Sequence, residues 1–417
     1  MENLTVDICV VGGGMAGMTA ALEAAEIGKE VALIEKEAYL GGRVARMYHY
    51  FPKQCPPTCG LEINFRRIRQ NPRIHYFTLA DVESVDGQDG AYTVKVRQNP
   101  RFVNEKCTAC GECETACELE RESAFDYGLK KTKAVYLPHP MAFPLRHVVD
   151  PAFAGDAKMK AAAEACPVDA IDLGQQAENF DIAAGAVVWA TGWKPYDAAK
   201  IENLGFGQCK NVINNVIMER LAAPNGPTDG KILRPSDQKE PTKVAFAQCA
   251  GSRDENHLPY CSAVCCAATI KQAAYVREKL PDAEVHVFYI DIRTPGRLED
   301  IYANAQEDEK LFFHRGKAAR VTEKPGSGNL VIEAENTLTG EKSEMEVDLV
   351  VLATGMVPNT ADTPPTADAV RDDWGFLVDG DTGVIGAGVS SRPLDVSASV
   401  QDATGKAMKA ICAKARE

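Results

Sequence analysis

The sequence lacks an excess of positive charge. Its 46 lysine and arginine residues are outnumbered by 59 aspartate and glutamate residues, which gives a formal net charge of −13 at pH 7. A chain with this balance repels the phosphate backbone of nucleic acids and the surface of anionic membranes. We therefore expect no nucleic-acid partner.

Long apolar runs are also lacking. The longest, around Val187 and Val350, have the length of strands, whereas a membrane-spanning helix needs roughly 18 apolar residues. The N-terminus carries Glu2 and Asp7 where a signal peptide has basic residues, and its apolar run breaks at Gly12. We expect a cytoplasmic chain that does not itself cross a membrane.

The motifs of hydrolytic enzymes are missing as well. There is no His-Glu-x-x-His zinc motif and no Gly-x-Ser-x-Gly elbow. Cysteine, in contrast, is abundant, with 14 residues. Because the cytoplasm disfavours structural disulfides, clustered cysteines there indicate metal binding or redox chemistry.

The N-terminus has the pattern of strand, glycine-rich turn and helix. Gly12, Gly14 and Gly17 follow an apolar stretch, and Glu35 ends the next one. Such glycines allow a tight turn, the close approach of a pyrophosphate and close packing of the helix on the strand. The carboxylate binds a ribose, and the start of the helix attracts the negatively charged pyrophosphate. The predicted dinucleotide-binding residues are Gly12, Gly14, Met15, Ala16, Gly17, Glu35 and Lys36.

Three further kinds of segment resemble the FAD-binding segments of the glutathione-reductase-like flavoproteins. They are a Gly-Gly-Arg segment, two Ala-Thr-Gly turns after apolar strands, and a closing Gly-Ala-Gly segment. Each alone could be an ordinary turn, but their order favours FAD. The residues predicted to contact FAD here are Gly42, Arg43, Ala190, Thr191, Gly192, Gly355, Gly386, Ala387 and Gly388.

The first cysteine cluster has iron–sulfur spacing. Its cysteines are separated by two, two and three residues, and a distant Cys-Pro pair follows. We predict a [4Fe-4S] cluster held by Cys107, Cys110, Cys113 and Cys166. The alternative is a structural zinc site, which would also use four thiolates.

A two-cluster ferredoxin would need a second run of cysteines before Cys166. The positions four, seven and ten residues upstream are occupied by Ala162, Met159 and Asp156. The second run is therefore degenerate, and Cys117 is left without a cluster.

The second cysteine cluster occupies the turn of a second strand–turn–helix–strand unit. A flavoenzyme with two dinucleotide sites binds NAD(P)H at this turn, but only one glycine, Gly251, remains in it. We predict that a second [4Fe-4S] cluster replaces the nicotinamide site, with Cys249, Cys261, Cys265 and Cys266 as ligands. Buried structural thiols are the alternative.

Cys55 and Cys59 form a third group, separated by Pro-Pro-Thr. Three interpretations stay open. The two residues could be a redox pair that exchanges electrons between flavin and thiols, supply cluster ligands, or line the flavin pocket.

The predicted fold is α/β: a flavoprotein with two dinucleotide-binding domains, as in glutathione and thioredoxin reductases, and an inserted ferredoxin-like domain. The boundaries follow from the motifs. They give an FAD-binding Rossmann domain at 1–100, the insert at 101–175, the continued FAD domain and a linker at 176–240, an NAD-domain-like region with the cysteine cluster at 241–355, and a C-terminal FAD segment at 356–417.

Together these motifs resemble the A subunit of heterodisulfide reductase. The compact form with one degenerate cluster resembles the corresponding flavoprotein of Qmo, the quinone-interacting membrane-bound oxidoreductase of sulfate reducers. The resemblance implies a cytoplasmic protein that is attached to the inner membrane through its partners. Those partners would be a haem-bearing membrane protein and a second flavin and iron–sulfur protein, linking the menaquinone pool to adenylylsulfate reductase.

A flavin between two clusters can exchange electrons in pairs and singly, so electron bifurcation or confurcation is a hypothesis. Other functions stay open: the flavin subunit of a soluble heterodisulfide-reductase-like complex, an NAD(P)H-dependent flavin disulfide reductase, and a ferredoxin-like carrier with a structural flavin.

Overall fold

The computed structural model describes residues 3–363, 365, 369–380 and 383–414. Glu2 and parts of the predicted segment 356–417 lie outside the described residues. The strands are β1 (Leu4–Val11), β2 (Val31–Glu35), β3 (Ile74–Thr78), β4 (Ala80–Gln88), β5 (Ala91–Gln98), β6 (Glu120–Glu122), β7 (Lys131–Lys133), β8 (Val135–Tyr136), β9 (Val148–Val149), β10 (Glu178–Trp189), β11 (Trp193–Pro195), β12 (Val212–Asn214), β13 (Lys243–Ala250), β14 (Glu284–Tyr289), β15 (Leu311–Arg315), β16 (Ala318–Glu323), β17 (Leu330–Glu335), β18 (Lys342–Val347), β19 (Leu349–Thr354), β20 (Met356–Pro358) and β21 (Val384–Gly386). The α-helices are α1 (Met15–Glu26), α2 (Thr58–Gln70), α3 (Glu112–Ala116), α4 (Met159–Glu164), α5 (Asn215–Ala222), α6 (Cys265–Lys279), α7 (Glu299–Gln306) and α8 (Val396–Lys414).

The first sheet carries the N-terminal nucleotide turn. Its order is β3-β2-β1-β10-β5-β4, with β21 also paired to β10. β1 runs parallel to both β2 and β10, and every residue of β2 is buried. Continuous apolar strands of this kind need cover on both faces, which helices α1 and α8 help to provide on one side. The turn after β1 therefore lies at the carboxyl edge of a parallel sheet, where open α/β sheets bind ligands.

The second sheet is wholly parallel, in the order β12-β19-β13-β14-β15. Helices α5 and α6 pack on it through Met218, Leu221, Ala273 and Val276. A separate antiparallel sheet, β16-β17-β18, covers the opposite face. The second cysteine cluster spans the end of β13, the turn that follows it and the start of α6, at the carboxyl edge of this sheet.

The segment between β5 and β10 forms a small core of its own. Two short hairpins, β6-β7 and β8-β9, and helices α3 and α4 surround it. The segment is tied to α5 by a buried ion pair in which Arg220 Nε donates to Asp126 Oδ1 at 2.9 Å. The same guanidinium lies over the ring of Phe125.

The degenerate half of the insert is filled by packed side chains. Met159 and Ala162 are fully buried, and Cys117 is buried in the same core. The thiol of Cys117 donates to the carbonyl of Leu119, with S and O 3.5 Å apart. In this arrangement Cys117 is a core residue, because its immediate neighbours are apolar.

The C-terminal helix α8 packs on α1 through its small residues. Ala403, Ala407 and Ala410 are buried, and their spacing of four and three places them on one face. Across the residues that the structure describes, no helix combines the length and apolar character needed to cross a membrane.

Candidate flavin and cysteine sites

A cavity of about 710 Å³ runs from the first nucleotide turn to helix α6. Its size falls within the roughly 300–1,000 Å³ typical of ligand sites. Of the predicted cofactor residues, those that line it are Gly12, Gly14, Met15, Ala16, Glu35, Lys36, Gly42, Arg43, Ala190, Thr191, Gly192 and Ala387. Most of the predicted cofactor residues therefore lie together at one end of the cavity.

The glycines at this end shape a cradle for a phosphate group. Gly12 has φ +106°, a backbone conformation that favours glycine. A Cβ atom on Gly42 would lie 2.9 Å from the Cα of Gly14, so only two facing glycines allow this approach. Gly14 is the N-cap of α1 and no side chain caps the helix. The free N–H groups of the first turn therefore face the cavity, as an anion site requires.

Four predicted cofactor glycines do not line the cavity. A Cβ on Gly17 would strike the carbonyl of Gly12, and a Cβ on Gly388 would lie 2.7 Å from that of Ala16. A Cβ on Gly386 would lie 2.7 Å from that of Leu377. Gly355 packs instead against the turn of the second cysteine cluster. Other groups pack closely against these glycines, and a motif alone does not separate close packing from contact with a ligand.

Glu35 places a carboxylate in the cavity wall. One of its oxygens accepts the N–H of Gly13 at 2.6 Å and the other accepts the N–H of Glu37 at 2.7 Å. Burial raises the pKa of Glu35 from 4.5 to about 7, although the two N–H donors work against the shift. The carboxylate is thus held rigidly, where it can accept the hydroxyls of a ribose.

Arg43 joins the cradle to neighbouring segments. Its Nε donates to the carbonyl of Trp193 at 2.5 Å, its Nη1 donates to the hydroxyl of Tyr127 at 3.2 Å, and its guanidinium lies 4.6 Å from the ring centroid of Trp193. Burial lowers the pKa of Arg43. The side chain brings positive charge to the cavity and contacts the insert through Tyr127.

The far end of the cavity was not predicted from the sequence. Val264, Ala268 and Lys271 line it, and their spacing of four and three places them on one side of α6. The Nζ of Lys271 lies 2.8 Å from Oε1 of Glu219 and donates to the carbonyl of His49 at 2.6 Å. The available signal was a lysine on the buried face of the helix that begins with Cys265.

A residue with an unpartnered polar atom also lines this region. Gln272 lines the cavity, and its Nε2 donates to the carbonyl of Asn215 and to Glu219. Its Oε1 is buried without a hydrogen-bond partner. Since buried polar atoms are normally paired, this acceptor fits a ligand that presents an N–H or O–H group.

The thiols of the insert meet around one small cavity. Cys107, Cys110, Cys113 and Cys166 all line it. Burial and the neighbouring thiols raise the pKa of Cys113 to about 12. Backbone N–H groups point at two of the sulfurs, from Ala109 to Cys107 at 3.4 Å and from Ala170 to Cys166 at 3.3 Å. Convergent sulfurs with N–H donors fit a cluster that carries negative charge.

The second thiol set lies in an irregular turn. Cys249 and Ala263 have φ of +56° and +61°, and Cys249, Cys265 and Cys266 are buried. Burial raises the pKa of Cys265, and the neighbouring thiols add to the effect. Without a positive centre nearby, burial and the neighbouring thiols favour the protonated form of Cys265.

Two arginines accompany these thiols. Arg253 lies beside Cys249, and Arg293 beside Cys261. The Nη1 of Arg253 also donates to Asp291 at 2.6 Å. The guanidinium groups supply positive charge next to the proposed thiolates, as a cluster of net negative charge requires.

The second thiol set adjoins the flavin cavity directly. The thiol of Cys265 donates to the carbonyl of Thr354, with S and O 3.6 Å apart, and Thr354 lines the cavity. Val264, the residue before Cys265, also lines it. The ligand cavity and the thiols therefore meet at the start of α6.

The thiols of each set are not arranged around a single ion. Among the described residues, no group of three or more cysteine, histidine, aspartate or glutamate side chains is close enough to hold one metal ion.

Comparison with known proteins agrees with this geometry. The FAD dependent oxidoreductase family matches residues 7–53. Over 100% of the chain, the sequence is 38% identical to an iron-sulfur A subunit of the CoB--CoM heterodisulfide reductase of Methanopyrus kandleri. Over 96% of the chain, it is 37% identical to the A subunit of the H(2):CoB-CoM heterodisulfide,ferredoxin reductase of Methanothermobacter marburgensis. The chain is similar along its whole length to the A subunits of heterodisulfide reductases, and its N-terminal segment matches the FAD dependent oxidoreductase family. It spans 66% and 63% of the length of these two relatives.

Solved structures confirm the predicted fold class. Thioredoxin reductase of Lactococcus lactis has a TM-score of 0.54 at 13% identity, and covers 99% of this chain and 100% of its own. Bacillithiol disulfide reductase of Bacillus cereus has the same TM-score, identity and coverage. At this identity the likeness concerns the fold alone, a two-domain α/β flavoprotein architecture.

Proposed function

We propose that the chain binds FAD and two [4Fe-4S] clusters and is the flavin electron-transfer subunit of a heterodisulfide-reductase-like complex. The observation that carries this proposal is the contact between Cys265 and Thr354, which joins the second thiol set to a flavin-sized cavity. An electron carrier at these thiols would adjoin the ligand.

Different residues of the chain bind different parts of FAD. The start of α1 and the facing glycines Gly14 and Gly42 hold the pyrophosphate, and Glu35 accepts the ribose hydroxyls. Lys271 and Gln272 offer one donor group and one acceptor at the opposite end, where the flavin ring would lie. Bound there, FAD supplies the exchange of electron pairs for single electrons.

The cluster ligands follow from the two thiol sets. Cys107, Cys110, Cys113 and Cys166 hold the cluster of the insert, whose limits we propose as 101–175. Cys249, Cys261, Cys265 and Cys266 hold the second cluster in the region 241–355, in the turn where a nicotinamide coenzyme would otherwise bind. The sequence of the turn supports this replacement, since it keeps a single glycine, Gly251, whose Cβ position is filled by the ring of Tyr196.

A finer proposal concerns the complex. The packed residues Met159 and Ala162 replace the second cluster of the insert, and this feature underlies the resemblance to the flavoprotein of the quinone-interacting membrane-bound oxidoreductase. On this proposal the chain links the menaquinone pool to adenylylsulfate reductase, through a haem-bearing membrane protein and a second flavin protein, with bifurcation or confurcation at the flavin. Purification from native membranes tests it, because the co-purified proteins either include these partners or name others.

The test of the main proposal is iron analysis of anaerobically purified protein. The wild type is expected to contain about eight iron atoms and eight acid-labile sulfides per chain, as two cubes require. Replacing Cys265 and Cys266 together by serine is expected to remove about half of the iron and about half of the acid-labile sulfide, and to leave the FAD content unchanged. Iron content equal to the wild type in this variant would refute the second cluster.

The same preparation tests the nicotinamide alternative. Cluster-bearing protein is expected to show no rapid bleaching of the flavin absorbance by NADH or NADPH, because the turn between β13 and α6 lacks the glycines that a pyrophosphate needs. Rapid bleaching would favour an NAD(P)H-dependent flavin disulfide reductase instead.

A further inference from the structure

Cys55 and Cys59 take no part in the sites described above. Neither lines the flavin cavity or the cavity of the insert thiols. The thiol of Cys55 donates to the carbonyl of Lys53, with S and O 3.7 Å apart. The role of the two cysteines stays a prediction from the sequence.

A second cavity, of about 360 Å³, lies between the insert and the segment that follows β2. Residues of three ranges form its wall: 37–46, 114–140 in the insert, and 225–229 after α5. Tyr39 and Arg46 line this cavity and the flavin cavity, so the two share part of their wall. The volume lies within the range that is typical of ligand sites, and neither the FAD motifs nor the two thiol sets give this space a function.

His139 lines the second cavity and has an unpaired ring nitrogen. The residue is 6% exposed, and its Nε2 has no hydrogen-bond partner in the described part of the chain. The ring stacks on Phe125 with centroids 4.9 Å apart, and it meets the ring of Tyr39 edge-on at 4.8 Å. Burial lowers the pKa of His139 to about 4, and the charges of Arg220 and Arg46 add to the effect. The imidazole is therefore neutral at pH 7, and its buried, unpaired nitrogen fits a ligand that forms a hydrogen bond with it.

Arg121 and Tyr136 supply hydrogen-bond donors to the same cavity. The Nε of Arg121 lies 2.6 Å from Oδ2 of Asp150, and the guanidinium lies 4.6 Å from the ring centroid of Tyr136. Within the residues that the structure describes, neither the Nη groups of Arg121 nor the hydroxyl of Tyr136 forms a hydrogen bond with another residue. A guanidinium with two unused N–H groups matches the two oxygens of a carboxylate.

The acidic residues of the wall have partners of their own or face water. They are Glu37, Glu114, Asp126 and Asp229. Glu37 lies 3.4 Å from Nη2 of Arg46, and Asp126 lies 2.9 Å from Nε of Arg220. Glu114 lies 3.3 Å from Nε2 of His147. Asp229 is exposed, and water and salt screen its charge. A bound anion would therefore meet paired or screened carboxylates.

The remaining wall is largely apolar. Its residues include Phe125, Leu137, Pro138 and Pro140. An inorganic oxyanion is much smaller than this cavity and would leave the apolar wall uncovered. An organic acid with a ring-sized body would cover that wall, and burial of apolar surface would add to its affinity.

We propose that the second cavity is a ligand site for a small organic acid that carries one further hydrogen-bonding group. The carboxylate of the ligand accepts from the guanidinium of Arg121 and from the hydroxyl of Tyr136. Its body lies against the apolar wall, and its second polar group pairs with Nε2 of His139. The site uses neither flavin nor cluster, so its outcome is separate from that of the function proposed above.

The first experiment measures binding of 3-fluoro-4-hydroxybenzoate by fluorine nuclear magnetic resonance. The probe has one carboxylate, one ring and one hydroxyl. Anaerobically purified protein that contains its cofactors is titrated while the flavin absorbance is followed. We expect saturable binding with a dissociation constant of about 1 mM or lower, and the FAD should stay bound. Release of FAD as the probe binds would place the probe in the flavin cavity and overturn the proposal, as would a lack of saturable binding.

Two competitors test the chemistry of the ligand. The amide of the same probe keeps the ring and the hydroxyl but has no charge, and inorganic phosphate has charge but no apolar body. Each should bind at least about tenfold more weakly than the acid, because each lacks one of the two recognised parts. An amide that binds as tightly as the acid would refute recognition of a carboxylate, and phosphate that binds as tightly would refute recognition of an organic body.

Variants locate the bound probe. R121Q should weaken binding at least about tenfold through the lost charge-assisted hydrogen bonds. R146Q is the matched control, because Arg146 also pairs with a carboxylate and is 20% exposed against 19% for Arg121, yet it does not line the cavity. It should bind the probe like the wild type. Equal affinities of R121Q and R146Q would overturn the proposal.

H139F tests the site without removing any contact of the imidazole nitrogen within the protein. Phenylalanine keeps a ring that can stack on Phe125, and the lost Nε2 has no partner in the described residues. The circular dichroism of this variant should match that of the wild type, and its affinity for the probe should fall about fivefold, as the loss of one hydrogen bond implies. An unchanged affinity in H139F would show that the probe does not reach His139 and would contradict the proposed site.

Discussion

Glu35 should make FAD binding depend on pH. Burial raises the pKa of this carboxyl from 4.5 to about 7 in the protein without ligand, so Glu35 is protonated below pH 7 and ionised above it. Ribose hydroxyls donate their hydrogen bonds best to the ionised form. Binding must therefore strengthen as the pH rises toward 7 and level off above it.

The magnitude follows from the fraction of ionised carboxyl. With a pKa of about 7, roughly one carboxyl in eleven is ionised at pH 6 and about nine in ten at pH 8. If only the ionised form binds well, the dissociation constant of FAD is about tenfold larger at pH 6 than at pH 8. Because the pKa rises from 4.5 to about 7, ionising Glu35 costs the ligand-free fold about 3 kcal/mol. The free energy of unfolding of the ligand-free protein should therefore fall as the pH rises from 4.5 to 7.

The assay is fluorescence titration of FAD into protein stripped of flavin, from pH 5.5 to 8.5. E35Q is expected to bind FAD more weakly at pH 8 and to lose the pH dependence. D81N is the matched control, because Asp81 also lines the cavity, and it should keep the dependence of the wild type. A dissociation constant in the wild type that does not change with pH, or an unchanged dependence in E35Q, would refute the argument.

Three further outcomes are expected. D126N leaves a buried guanidinium without its charge partner and should lower the free energy of unfolding by about 3 kcal/mol in urea denaturation; no measurable loss would contradict the buried ion pair. C117A should keep the full iron content, because this thiol packs in a core, and iron loss on analysis would make Cys117 a ligand. G42A should lower the affinity for FAD at least about tenfold, since the added Cβ would meet Gly14. G28A is the control: Gly28 also has a positive φ, but open space surrounds it, so this variant should bind FAD like the wild type. Equal affinities of G42A and G28A in the titration would contradict the proposed phosphate site.

The nucleotide end of the cavity could be predicted because its residues are local in sequence. Gly12, Gly14 and Glu35 belong to one strand–turn–helix–strand unit, where covalent spacing fixes their relative positions. Gly386 and Gly388 are predicted to contact the cofactor, and the structure places Leu377 and Ala16 against their Cβ positions. A glycine marks a close approach of the backbone, but sequence alone does not say whether the approaching group is a ligand or another residue.

The residues at the α6 end of the cavity could not be predicted from the sequence, for a different reason. Lys271 and Glu219 come from α6 and α5, which meet only through tertiary packing, and His49 comes from a third segment. A lysine on a helix is normally a solvated side chain, so its burial against a carboxylate can be inferred only when the partner helix is known. The cysteines nevertheless indicate which helix is involved, since Cys265 begins the helix that carries Lys271.

The position of the insert bears on the function of its cysteines. Electron transfer between carriers requires a fixed and short separation, and a mobile appendage would not provide one. Tyr39 and Arg46 line the flavin cavity and also a second cavity of about 360 Å³ against the insert, while Arg220 and Asp126 form their ion pair where the insert meets α5. Because breaking a buried pair costs more than breaking an exposed one, this contact ties the insert to a defined place beside the cavity.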